Sequence, residues 1–126
     1  MIEAYVQSLL DIVVASPIVS TFDVTLDKRT AHLGLIRGEL RFLDDSRLHF
    51  RELVEVKGHV IRQMYSYHYQ DAANTLLFRY DDTPHHPSLD TFPHHKHDRS
   101  EANVVEAVPP CLAEVLREIE AIHPLM

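Results

Sequence analysis

Between Arg47 and Tyr80 the chain alternates apolar and polar side chains, interrupted by two turn-like stretches, Lys57-Gly58 and Asp71-Ala72-Ala73-Asn74. A period of two sends successive side chains to opposite faces of a strand. This stretch therefore commits the chain to antiparallel hairpins with one face for a core and one for solvent. Leu48, Phe50, Val54 and Val56 fall on the apolar side, and Arg47, His49, Arg51 and Glu55 on the other. Pairing is then set by the turns. A two-residue loop at Lys57-Gly58 puts Val56 opposite His59, Val54 opposite Ile61, Phe50 opposite Tyr65 and Leu48 opposite Tyr67. Ile61, Tyr65, Tyr67 and Tyr69 join the apolar side, and Arg62, Met64, Ser66 and His68 the arginine side. A four-residue loop at 71–74 pairs Tyr69 with Leu76, Tyr67 with Phe78 and Ser66 with Arg79.

The flanks supply more strand and two helices. Phe22, Val24 and Leu26 alternate with Thr21, Asp23 and Thr25 up to a turn at Asp27-Lys28-Arg29. A strand over about 31–43 changes phase between Leu35 and Ile36, which predicts a bulge near Gly34 or Gly38. Ile2, Tyr5, Val6, Leu9, Leu10, Ile12 and Val13 recur at helical spacing, and Ser16-Pro17 ends that run. Pro109-Pro110 opens a second helix with Leu112, Val115, Leu116, Ile119 and Ile122 as its stripe. A meander with one apolar face must cover it, and the two striped helices are available to do so. The expected architecture is a two-layer α+β fold, an antiparallel meander of five or six strands with an N-terminal and a C-terminal helix packed on one face. One domain is expected over residues 1–126, with helices at 1–16 and 110–123, the meander at 20–80, a His- and Pro-rich loop at 81–100 and a short strand near 103–108.

The formal charge of -7 speaks against a phosphate-binding partner until its distribution is considered. From Lys28 to Arg99 eleven Lys or Arg stand against ten Asp or Glu, and nine of the ten histidines lie there. The acidity is terminal, so the middle can present a positive face. The apolar cluster at Leu9 to Ala15 is split by Asp11 and has no basic lead, which predicts neither a signal peptide nor a membrane span, and hence a cytoplasmic protein. The single cysteine, Cys111, has no partner for a disulfide or a thiolate metal site and is expected to be buried in the second helix.

The expected register places Arg47 beside His68, His49 beside Ser66 and Arg51 beside Met64, with Arg79 across from Ser66. Guanidinium forks suit phosphate oxygens, and imidazoles carry protons near neutrality. The candidate catalytic residues are His68, Arg79, His86 and His95; Arg47, His49, Arg51 and Ser66 are candidate substrate contacts. A solvated face neutralised by its acids is the plainer account of the same residues. The tyrosines at 65, 67 and 69 are expected in the core. His94, His95 and His97 form an alternative metal-ligand set suited to zinc, although no cysteine or fixed carboxylate spacing accompanies them. No cofactor is otherwise indicated, since no phosphate-binding glycine loop or nucleophile elbow occurs.

Ile36-Arg-Gly-Glu-Leu40, Tyr65-Ser-Tyr-His-Tyr-Gln70, Phe78-Arg-Tyr80 with Pro84-His85-His86, and Phe92-Pro-His-His-Lys-His97 together resemble the TumE-type toxins of bacterial toxin-antitoxin systems. The resemblance runs from Ile2 through the last helix. It implies a small cytoplasmic growth inhibitor and a cognate helix-turn-helix antitoxin that neutralises it, and it assigns no catalytic residues. Many toxins of this size cut RNA without a metal, the RelE-like ones among them, but those are usually basic and place their helices before or among the strands. The expected activity is therefore endoribonuclease chemistry by side chains alone. The alternatives are a metal-dependent hydrolase or nuclease using the His-rich loop, and a non-catalytic interaction module.

Overall fold

A computed structural model describes residues 1–123; residues 124–126, included in the expected domain, lie outside the described residues. The chain runs α1 (Ile2–Ala15), β1 (Val19–Lys28), β2 (Leu33–Phe42), β3 (Arg47–Lys57), β4 (His59–Gln70), β5 (Leu76–Asp81), β6 (His95–Asp98), β7 (Val104–Glu106) and α2 (Leu112–Ile122). All seven strands form one antiparallel sheet in sequence order. The α+β meander with terminal helices is as expected, with more strands than five or six. The addition is β6, cut from the expected loop: its alternation is carried by His95 and His97, which a hydrophobic pattern does not register. Among the described residues no helix is long and apolar enough to cross a membrane.

Both helices contribute to one core with one face of the sheet. Leu9 and Val13 from α1 and Leu112, Val115, Leu116 and Ile119 from α2 join Ile36, Leu40 and Phe42 of β2, Leu48, Phe50 and Val54 of β3, the three tyrosines of β4 and Phe78 of β5. Each side chain of this size stabilises the fold by about 1.5–3 kcal/mol when buried. Cys111 is exposed instead of buried. It is the N-cap of α2, where its N–H donates to the Glu114 carboxylate at 3.1 Å, so the helix begins later than the proline pair suggests.

Register differs from expectation in an instructive way. At Gly58, with φ at +70°, the chain reverses through one residue, so Lys57 faces His59 and Val54 faces Arg62. A bulge then leaves Gln63 unpaired, and beyond it Phe50 faces Tyr67 and Leu48 faces Tyr69. Two single-residue slips add to an even number, so Tyr65, Tyr67 and Tyr69 keep the core face. Arg62 and Ile61, lying between the slips, are exchanged. Arg62 turns to the helix side, where it donates to the Tyr67 hydroxyl at 2.8 Å and the Pro110 carbonyl at 2.6 Å; Ile61 is exposed. The β4–β5 hairpin repeats the pattern: Gln70 faces Leu76, Leu77 is left over, and Tyr69 faces Phe78.

No bulge interrupts the β2–β3 pairing at Gly34 or Gly38. Instead Gly38 sits in the core phase and yields its side-chain space to Phe50, whose ring carbon would lie 2.0 Å from a Cβ there. The irregularity lies between Val19 and Thr21, at the start of β1.

Candidate functional site

The sheet face away from the helices carries a pocket of about 520 Å³. Four adjacent strands build it with alternate residues, as strand geometry requires: His49 and Arg51 from β3, Ser66 and His68 from β4, Arg79 and Asp81 from β5, His95 and His97 from β6. The segment 82–94 supplies Thr83, His85 and His86. Six imidazoles and two guanidiniums thus gather around one lining carboxylate, Asp81.

The two-residue shift in register decides the neighbours. His68 faces His49 on β3 and Arg79 on β5, Arg51 faces Ser66, and Ser66 faces Asp81. Arg47 faces Gln70 and donates to Asn74; it is not in the pocket lining and lies beside Thr21 and Glu39 on the adjoining surface. Of the eight expected catalytic and substrate residues, the seven others line the pocket together.

Asp81 organises the floor. Its Oδ1 lies 2.9 Å from His95 Nε2, and its Oδ2 accepts from Arg79 Nε at 3.0 Å and sits 3.9 Å from His97 Nε2. Burial alone would raise its pKa, but the Thr83 N–H, the nearby His95 and the Arg79 guanidinium outweigh that and hold the carboxyl below its usual range. Arg79 is fully engaged, donating also to Glu101 at 2.7 Å and to His97 Nε2 at 3.0 Å. Arg51 is exposed and makes no ion pair among the described residues.

The two β6 histidines are oriented from behind. His95 Nδ1 lies 3.0 Å from the Pro93 carbonyl and His97 Nδ1 lies 2.9 Å from the Glu101 carbonyl. A carbonyl only accepts, so each Nδ1 carries a proton, and each Nε2 is turned to the pocket, that of His95 onto the Asp81 carboxylate and that of His97 onto the Arg79 guanidinium. His95 is 2% and His97 5% exposed, and His86 lies against both, with ring centroids 4.7 and 5.9 Å away. His94, in the expected metal set, is turned elsewhere: its ring stacks on Tyr65 and its Nδ1 meets the Tyr65 hydroxyl at 2.9 Å.

Of the pocket imidazoles, His49, His68 and His86 are partly exposed and His85 is exposed. Burial, then the Arg79 charge, lowers the His68 pKa; partial desolvation, then His95 and His97, lowers that of His86. Asp81 was absent from the sequence-derived site, although Arg79-x-Asp81 on a strand shares a face just as His95-x-His97 does. The opposite face holds a second polar cluster. Glu52, fully buried, accepts from Tyr67 at 2.6 Å and from Tyr5, and burial together with Glu52 pushes both phenols up.

A protein-family model described as Toxin TumE matches residues 9–123. No curated protein and no solved structure matches the chain.

Proposed function

The chain belongs to the TumE toxin family, and on that premise we propose that it arrests growth by cleaving RNA in the pocket of β3–β6. Membership implies an antitoxin partner; on our reading this is a helix-turn-helix protein encoded beside it, and the toxin acts in the cytoplasm.

The single observation that carries the proposal is the gathering of Arg51, His68, His86 and the Asp81-anchored Arg79 in one open pocket of about 520 Å³. An uncommitted guanidinium beside two accessible imidazoles suits a phosphodiester. In the reaction His68 takes the proton of a ribose 2'-hydroxyl, and the 2'-oxygen attacks the adjacent phosphorus. The phosphorus–O5' bond breaks, His86 protonates the departing 5'-oxygen, and a 2',3'-cyclic phosphate remains. Arg51 binds the charged phosphoryl oxygens. His95 is too deep to meet substrate directly; bonded to Asp81, it positions His86. Arg79, tied to two carboxylates, fixes the floor.

The test is induction of the wild type, His68→Ala and His86→Ala in cells, with cleavage of labelled RNA by the purified proteins. Loss of growth arrest and of cyclic-phosphate ends in both variants, at unchanged melting temperature, supports the proposal. Full toxicity of both, or equal cleavage of a substrate with a 2'-deoxy residue at the cut site, overturns it.

A further inference from the structure

We propose that His86, His95 and His97 form a binding site for a zinc-class transition-metal ion, with Asp81 as an adjoining carboxylate. One nitrogen from each ring lies within 4.8 Å of the others. A tetrahedral ion at about 2.0–2.1 Å from each nitrogen would draw such donors to about 3.4 Å apart. His95 and His97 are fixed on β6, so the closing movement falls to His86, which is borne by the segment 82–94 and is partly exposed.

Proximity alone would be weak ground. The stronger observation is the hydrogen bonding behind the ligands. The Pro93 and Glu101 carbonyls hold the Nδ1 protons of His95 and His97 and turn both Nε2 atoms toward Asp81, at 2.9 Å from Oδ1 and 3.9 Å from Oδ2, so that an ion would take the place of what now joins His95 Nε2 to the carboxylate. Metal-binding histidines characteristically donate their second ring N–H to a carbonyl or carboxylate in this way, which sets tautomer and ring angle before the ion arrives. A three-imidazole set with a nearby carboxylate suits zinc, cobalt or nickel better than magnesium or calcium, which prefer oxygen.

Arg79 opposes the ion, since its Nη2 donates to His97 Nε2. It can withdraw without being stranded, because Asp81 and Glu101 remain its acceptors. An ion on His86 also removes that ring from proton transfer, so occupancy and the acid role of His86 exclude each other.

The proposal concerns binding and stands apart from RNA cleavage. Protein without a polyhistidine tag is titrated with zinc chloride by calorimetry and with cobalt chloride by visible absorption. One ion per chain is expected, with cobalt bands of a low-coordinate nitrogen site. His86→Ala, a loop change that spares the sheet, should weaken binding by about 100-fold, since even partners outside the ligand set are worth 10–100-fold. His94→Ala should bind as the wild type. No saturable binding, undiminished binding by His86→Ala, or its loss in a folded His94→Ala would overturn the site.

Discussion

Asp81 and His95 face each other across β5 and β6 and are also joined through their side chains, His95 Nε2 to Asp81 Oδ1, at 2.9 Å. The pocket floor is therefore fastened by the same pairing that adds β6 to the sheet. Asp81→Asn keeps the shape but takes the charge from beneath Arg79 and His95. Breaking a buried pair of this kind costs on the order of 3 kcal/mol. The urea midpoint should fall accordingly; a change within about 0.5 kcal/mol, as for an ordinary surface substitution, would show that the carboxylate does not hold the floor.

His68 gives the fold a pH dependence whose sign follows from its surroundings. Its pKa is lowered from 6.5 by burial and then by Arg79, with His49 opposing its charge and Glu101 favouring it. The unfolded chain takes up this proton more readily than the folded one. Its contribution to stability is present above the ordinary histidine pKa and is lost as pH falls through the folded value. Between pH values of about 7.5 and 5, His68→Gln should lose less stability than the wild type. An NMR titration placing His68 at or above 6.5 would contradict this.

Arg51 and Arg47 share a strand and a face but not a pocket. Arg51→Ala should weaken RNA binding and lower the salt dependence by about one counterion, whereas Arg47→Ala, whose guanidinium is bonded to Asn74, should do neither. Equal losses from both would place the RNA across the whole face.

Tyr67 links Arg62 to Glu52 beneath the helices, accepting at 2.8 Å and donating at 2.6 Å. Tyr67→Phe leaves a buried carboxylate short of a donor and should cost about 1–3 kcal/mol. Toxicity measured at equal folded protein should be unchanged, because this cluster lies on the other side of the sheet from the pocket.

Gly38→Ala should destabilise the fold by about 1–3 kcal/mol or more, as overpacking does. Its Cβ would meet the Phe50 ring at 2.0 Å. Phe50→Leu in the same chain should relieve part of that cost, a coupling that denaturation of the four proteins of the double-mutant cycle measures directly.

Alternation in the sequence determined the faces: tyrosines inward, His49, Arg51, Ser66, His68 and Arg79 outward. Each hairpin slipped by two residues from the simplest register, and the outward set survived because a core rejects any net slip that reverses the side chains. Pairings and depth were beyond the sequence. Which of the two pocket arginines is free, which histidines lie behind a third, and that Asp81 fastens β6 all depend on contacts between strands closed by the 82–94 segment. A periodic pattern records which way a side chain points, but burial and partners arise only when distant segments pack.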